Sequence, residues 1–222
     1  MNSVYQFIIK PIGKRYNNEL SVGDKKLIIN SSIASHKFVN REARIVDTPL
    51  AYKTKIKKGD RVIVHHNLFR RYYDLKGKSV NSTKFFKDDM CFASIDQVYM
   101  KKSENSWETL DNYCFVKPVV DKDDSNLNKL KKCIGIVKYN NSALEALKIS
   151  NGDLVGFKKN REFEFLIDGE VLYCMQSNDI LIKYENKGNE TEYKQSLSKS
   201  SWRTYIDREE KDRWLEIENI DQ

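Results

Sequence analysis

Three short motifs occur twice along the chain in the same order, and this repeat constrains the fold more than any other feature. The first motif is a Lys-Pro pair that ends an apolar run. The second motif is a Gly-Asp pair that comes directly before an apolar run. The third is an Asp that comes just before a further apolar run. Because the order is kept while the separation shrinks, the chain reads as two copies of one unit, the second shorter. Two unrelated β units remain the alternative. The paired segments are 7–11 with 114–118, 56–62 with 149–155 and 94–98 with 177–181, which lie 107, 93 and 83 residues apart.

The apolar and β-branched clusters are short and separated by polar turn residues, which is typical of strands. Residues 162–165, Glu-Phe-Glu-Phe, alternate with a period of two, as a half-buried strand requires. Helical signal is thin, and residues 142–148 allow only one or two turns. The sequence therefore predicts an all-β fold of the sandwich or small-barrel kind. The predicted strands are 5–9, 43–46, 61–65, 90–93, 97–100, 113–119, 134–139, 154–158, 162–167, 170–174 and 180–184.

Two of the repeated motifs have a direct physical reason. In the Gly-Asp pairs, at Gly59-Asp60 and Gly152-Asp153, glycine supplies a positive φ for a tight turn and the carboxylate can accept hydrogen bonds from backbone N–H groups. We expect a Lys-Pro pair to lie near the end of its strand, because proline donates no hydrogen bond to the ladder. We therefore expect each copy to enter a strand through a Gly-Asp turn.

In these motifs the chain resembles the GroES family of co-chaperonins. The strand after Gly152-Asp153, together with the run from Gly169 to Leu181, looks like the family's Gly-Asp-x-Val-x-Phe strand and its Asp-Ile-Leu type of ending; the first copy is more divergent. The resemblance covers about residues 4–185 and is similar to the double-domain co-chaperonins of plastids, although the Asn- and Lys-rich divergence looks more like phage-encoded members. It implies two tandem GroES-like small β-barrels. We expect them at 1–108 and 109–187, followed by a C-terminal extension at 188–222 with a short helix.

The resemblance also implies a function. Members of the family assemble into a homo-oligomeric ring that caps a chaperonin cylinder of the GroEL-like kind, and the chamber assists the folding of client proteins. They have no catalytic site and no cofactor, because the partner hydrolyses the ATP. We therefore expect a co-chaperonin rather than an enzyme, in the cytoplasm, or in the host cytoplasm if the chain is phage-encoded.

The segment that would carry this function is 17–40, a polar stretch rich in Asn, Ser and Lys with the composition of a mobile loop. It contains the aliphatic tripeptide Leu27-Ile28-Ile29. The resemblance implies that such a tripeptide docks in an apolar groove of the chaperonin. An ordinary core strand is the alternative, and Ile33 is a second apolar candidate in a register that the sequence leaves open. Residues 121–132 of the second copy hold no aliphatic tripeptide, so we expect one docking loop per chain.

The charge distribution supports a different hypothesis. The net charge is +7, but residues 1–110 carry +10 (21 basic minus 11 acidic) and residues 111–222 carry −3 (18 minus 21). The stretch 69–73, Phe-Arg-Arg-Tyr-Tyr, interleaves basic and aromatic residues as single-strand binders do, and four lysines follow it. A basic β-barrel that binds single-stranded nucleic acid is thus the alternative function. A strand and turn with solvated charges is the favoured interpretation, so nucleic acid is not the expected partner. The lysines are Lys76, Lys78, Lys84 and Lys87.

The remaining reactive side chains favour structural roles. Cys91, Cys114, Cys133 and Cys174 form no Cys-x-x-Cys pair, so we expect buried free thiols. His65 and His66 would point to opposite faces of a strand and could not easily share a metal, with His36 the third histidine. No metal site is therefore expected. No apolar run approaches the roughly 20 residues that span a bilayer, and the N-terminus has no signal-peptide pattern, so no membrane partner is expected.

Overall fold

A computed structural model describes residues 3–17, 19–22, 25–28, 38–103, 106–110, 112–120 and 130–185. The chain divides into two compact units, unit 1 at Met1–Asp111 and unit 2 at Asn112–Gln222. This division lies close to the boundary expected at 108/109. The helical tail expected at 188–222 lies outside the described residues. Strands dominate both units, so the fold is all-β. In the described part of the chain, no helix has the length and apolar character needed to cross a membrane.

Unit 1 contains one six-stranded antiparallel sheet and two separate two-stranded sheets. The six-stranded sheet has the order β10-β9-β5-β4-β1-β8, while β2 pairs with β3 and β6 pairs with β7. The strands are β1 (Phe7–Pro11), β2 (Glu19–Val22), β3 (Lys25–Ile28), β4 (Glu42–Asp47), β5 (Arg61–Val64), β6 (Arg71–Tyr73), β7 (Ser79–Asn81), β8 (Cys91–Ala93), β9 (Val98–Ser103) and β10 (Ser106–Thr109).

Unit 2 contains a second six-stranded antiparallel sheet, with the order β14-β15-β11-β12-β13-β16. The short helix α1 (Ser142–Ala146) begins where the side chain of Asn141 accepts a hydrogen bond from the backbone N–H of Leu144. The strands are β11 (Tyr113–Val120), β12 (Leu130–Tyr139), β13 (Leu154–Phe157), β14 (Phe163–Ile167), β15 (Glu170–Gln176) and β16 (Ile180–Lys183).

Five strands follow one another in the same order in both sheets. The order β8-β1-β4-β5-β9 in unit 1 corresponds to β15-β11-β12-β13-β16 in unit 2. The irregularities also coincide: the register shifts between Ile8 and Ile9 in β1, and between Phe115 and Val116 at the matching place in β11. A β-bulge is a specific feature of a strand pair and not a random defect. The repeat seen in the sequence therefore corresponds to a repeated sheet.

The Gly-Asp turns have the geometry expected from the sequence. Gly59 has φ +94° and Gly152 has φ +91°. In each turn the aspartate accepts a hydrogen bond from the backbone N–H three residues earlier, at 2.8 Å in both cases. The glycine N–H and the aspartate C=O then bond to the neighbouring strand, at Ile45 in unit 1 and at Val137 in unit 2. Both turns thus attach the incoming strand to the strand beside it.

The third motif is shifted by one residue relative to the sequence match. Val98 pairs with Val64 at the start of β9, and Ile180 pairs with Phe157 at the start of β16, so these two residues are equivalent and lie 82 residues apart. The sequence comparison had paired Asp96 with Asp179 at a separation of 83. The structure instead aligns the two 3-10 turns Ile95–Gln97 and Ser177–Asp179 that precede these strands.

Each unit has its own apolar core beneath its sheet. In unit 1 the core includes residues of all of its shared strands, and Phe69 from the link after β5 is fully buried. The core of unit 2 includes Leu144 of α1. All four cysteines are free, and all except the half-buried Cys133 are buried. Burial raises the pKa of Cys91 to about 11 and that of Cys114 to about 12, so both thiols stay protonated near neutral pH.

Asp153 should matter more for stability than its counterpart Asp60. Asp153 is 2% exposed, and it both accepts the N–H of Ser150 and pairs with Lys183 at 2.7 Å. We expect Asp153→Ala to lower the free energy of unfolding by about 2 kcal/mol or more, and Asp60→Ala by about 1 kcal/mol. Urea unfolding followed by circular dichroism measures both changes. Equal losses would contradict the assigned role of the Lys183 pair.

Candidate functional site

The two ends of the segment expected to bind a partner are joined to each other by backbone hydrogen bonds. The backbone N–H of Asn17 donates to the C=O of Phe38 at 2.7 Å, and the N–H of Asn40 donates to the C=O of Arg15 at 2.8 Å. Phe38 and Val39 are buried, so the range 17–40 reaches the core at its C-terminal end. These two backbone bonds close the base of the segment, which we call the neck.

The buried side chain of Asn40 holds the neck together. Its amide Nδ2 donates to the C=O of Ile12 at 2.7 Å and to the C=O of Lys14 at 2.9 Å, while its Oδ1 accepts from the N–H of Glu42. Three backbone groups of two chain segments are thereby satisfied by one residue. Asn40 could not be predicted from the sequence, because a single Asn after an apolar pair forms no motif.

Leu27 and Ile28 of the tripeptide lie in β3. Leu27 is paired with Leu20 and Ile28 with Glu19 of β2. In the described residues this hairpin is a two-stranded sheet of its own and is not a member of either six-stranded sheet. Ile29 and Ile33 lie outside the described residues. The proposed docking segment is therefore a strand in its first two positions, and its role as a docking site stays a prediction.

In the second copy most of the corresponding link, residues 121–129, lies outside the described part of the chain. Leu130, expected to be a packing residue, begins β12 and is half-buried. Leu127 lies in the part that is not described. The expectation of one docking loop per chain therefore rests on the sequence alone.

The histidine pair does not have the geometry that the sequence suggested. β5 ends at Val64, and His65 precedes the 3-10 turn His66–Leu68, so the two histidines are not neighbours on a strand. Their rings stack with centroids 4.3 Å apart instead of pointing to opposite faces. His65 Nδ1 accepts the backbone N–H of Asn67, which occupies one ring nitrogen. His36 lies outside the described residues, and those described contain no group of three or more potential metal ligands.

The basic and aromatic stretch forms a hairpin from β6 and β7. The guanidinium of Arg70 lies 4.9 Å from the ring centroid of Tyr72. Tyr73 is 56% exposed, and Leu75 is fully exposed at the tip. Lys76 and Lys78 are exposed in the turn, and Lys87 is exposed beyond β7, whereas Lys84 is half-buried. The strand-and-turn interpretation of this stretch is thus correct as a description of its backbone.

A polar pocket of about 610 Å³ lies in unit 1 beside β9 and β10. Four lysines line it together with Asp60, Glu108 and two serines. Hydrogen bonds from Lys101 and Ser103 lower the pKa of Glu108, so this carboxylate is ionised near neutral pH. The four lysines give the pocket positive charge that can attract an anion. The lysines are Lys55, Lys57, Lys101 and Lys102.

Comparison with protein-family models gave no match, and comparison with curated proteins gave none either.

His65 should make the stability of unit 1 depend on pH. Burial is the main cause that lowers its pKa below the ordinary value of 6.5, and the charge of Arg41 adds to this, while Asp96 acts in the opposite direction. Because the unfolded chain binds the proton more tightly, the stabilisation is complete above 6.5 and is lost as the pH falls through the lower, folded-state pKa.

We expect His65→Asn to reduce the loss of unfolding free energy between about pH 7.5 and about pH 5.5. Asparagine can still accept the N–H of Asn67 but does not titrate in this range. Urea unfolding of both proteins at each pH measures the difference. An undiminished loss in the variant would show that other groups cause the pH dependence.

Proposed function

We propose that this protein is a co-chaperonin that caps a chaperonin ring and assists ATP-dependent protein folding. The observation that carries the proposal is the repeated sheet, in which five strands, their bulges and the Gly-Asp turn recur in both units. The Gly-Asp turn and the strand after it are among the motifs through which the sequence resembles the GroES family. On this proposal the two units are tandem GroES-like barrels, and the protein acts by binding and not by catalysis.

The neck supports a docking role for the segment that it closes. Its ends are fixed by backbone bonds and by Asn40, so a change within the segment need not disturb the core of unit 1. Leu27 and Ile28 belong to a small hairpin apart from the main sheet, and with Ile29 they form the proposed contact. Burying three aliphatic side chains contributes roughly 1.5–3 kcal/mol each before the cost of ordering the loop. A single loop therefore binds weakly, and a ring of loops binds strongly through avidity.

The edge of unit 2 supports assembly into a homo-oligomer. β16 is an outer strand of its sheet, and within the described residues its outer edge has no partner strand. Leu181 and Ile182 on this strand are 61% and 52% exposed. Natural sheets normally cover or interrupt such an edge, because exposed strands pair with other chains. A neighbouring subunit in a ring would cover it.

Ile28→Asp should abolish binding to a chaperonin without unfolding the protein. A carboxylate in an apolar groove loses its hydration, and avidity multiplies this loss across the ring. We expect binding to a GroEL-like chaperonin in the presence of ATP to weaken by at least about tenfold, with a melting temperature within about 2 °C of the wild type. Pull-down and differential scanning calorimetry measure the two effects.

Leu75→Asp is the matched control, because it introduces the same charge at a fully exposed leucine of unit 1. This variant should bind the chaperonin as the wild type does. If Ile28→Asp instead melts much earlier, Ile28 belongs to the core. If it binds normally, the docking role is wrong.

The chain has a mass of 26.1 kDa. We expect light scattering at high protein concentration to give a molar mass in solution that is a defined multiple of this value. We expect Leu181→Arg to shift the distribution towards monomer, because the charge would lie in the proposed interface while the side chain is exposed within one chain. A monodisperse monomer of the wild type would contradict ring assembly.

A further inference from the structure

Unit 1 carries a hairpin that the repeated sheet does not require. Between β5 and β8 the chain forms β6 and β7, which pair only with each other in the described residues. At the corresponding place in unit 2, β14 lies between β13 and β15 and belongs to the main sheet. We call residues 70–81 the basic hairpin. Because it adds nothing to the shared five-strand order, its composition calls for another explanation.

One face of the basic hairpin combines an exposed ring with polar atoms that have no partner. Arg71 is paired with Asn81 and Tyr73 with Ser79, so these four side chains lie on the same face. The Nε of Arg71 and the Oγ of Ser79 are buried without a hydrogen-bond partner in the described part of the chain. These two atoms are enclosed, so a ligand on this face would meet the exposed ring of Tyr73 and the half-buried side chain of Arg71.

The base of the basic hairpin is held rigidly. Arg15 donates from Nε and Nη2 to the C=O of Phe69, at 3.1 and 2.8 Å, and from Nη1 to Oδ1 of Asn81 at 2.8 Å. The backbone N–H of Arg71 donates to the hydroxyl of Tyr16 at 2.7 Å. A surface fixed in this way loses little entropy when it binds a ligand.

The tip of the basic hairpin presents positive charge. Oδ1 of Asp74 accepts the backbone N–H groups of Lys76 and Lys78, at 2.9 and 2.8 Å, which fixes the turn between the two strands. Both lysines are exposed. Residues 65–90 together carry six basic and three acidic side chains, or +3, within a half of the chain that carries +10. Charge complementarity therefore favours an anionic partner.

We propose that the basic hairpin binds single-stranded nucleic acid, with a base stacked on Tyr73 and phosphates contacted by Arg71, Lys76 and Lys78. This goes beyond the proposed co-chaperonin function and departs from the expectation drawn from the sequence. A single exposed ring among cations suits an unpaired base, because bases inside a duplex are already stacked. A purely acidic peptide would satisfy the charges but would leave the ring of Tyr73 unused.

Fluorescence anisotropy with a labelled oligothymidine of about 20 nucleotides tests the proposal on the full chain. The variant Tyr73→Ala, Lys76→Gln, Lys78→Gln should raise the dissociation constant by about tenfold or more. The slope of log K against log salt, measured between about 50 and 200 mM, should become shallower by about 1.4, which is two contacts at about 0.7 each.

The matched control removes the same groups from unit 2. Phe163 is 63% exposed, and Lys132 and Lys159 are exposed, so Phe163→Ala, Lys132→Gln, Lys159→Gln loses one ring and two positive charges. It should bind the oligonucleotide as the wild type does. Circular dichroism should show both variants folded, because all six substituted side chains are exposed. If the hairpin variant does not fold, Lys76→Gln, Lys78→Gln alone should still show the shallower slope.

Four results would overturn the proposal. They are equal weakening in the control, equal affinity for a duplex of the same length, equally effective competition by polyglutamate, and no binding by the wild type at the lowest salt concentration. None of them bears on chaperonin binding, because that assay uses no nucleic acid. The two proposals can therefore fail separately.

Discussion

The Gly-Asp turn is the constraint on which the sheet of each unit depends. A positive φ at Gly59 or Gly152 brings the glycine N–H and the following C=O onto one residue of the neighbouring strand, Ile45 or Val137. That contact sets the register of one strand pair, and a one-residue slip there would turn every core side chain to the other face. The same strand then pairs with the closing strand of its unit, so the turn fixes three strands together.

In the two units, different elements supply the counter-charge of an equivalent lysine. Lys101 is paired with Val62 and Lys183 with Val155, so the two lysines are equivalent. In unit 2 Lys183 pairs with the buried Asp153 of the turn, whereas in unit 1 Lys101 pairs with Glu108 of β10, at 3.2 Å. The extra strand β10 thus supplies the counter-charge that the turn supplies in unit 2. This difference explains how the turn aspartate can be more exposed in the unit that has the additional strand.

Apolar periodicity and the internal repeat predicted most strands of the two six-stranded sheets, because both signals lie in short stretches of the sequence. All eleven predicted strands exist, with ends displaced by a few residues, and α1 lies where one or two helical turns were expected. Strands β2, β7 and β10 were missed, because they are short and polar and form through cross-strand pairing that the residue pattern within one strand does not reveal. For β3 and β6 a strand was among the interpretations that the sequence left open. The histidine geometry was wrong because it assumed that β5 continued past Val64. The neck was missed because its bonds join Asn40 to residues far away in sequence.

The two segments proposed to bind partners, residues 17–40 and the basic hairpin, are both insertions of unit 1, and Arg15 contacts the base of each. Its C=O accepts the N–H of Asn40 at the neck, and its guanidinium holds the base of the basic hairpin through Phe69 and Asn81. The guanidinium also lies 5.4 Å from the ring centroid of Phe85 and 3.9 Å from Asp89. A substitution of Arg15 would therefore loosen both insertions at once and could not separate their functions. Ile28, which pairs with Glu19 in the β2–β3 hairpin, and Lys76, in the turn between β6 and β7, are not among these contacts of Arg15. Changes at these two positions therefore test one insertion at a time.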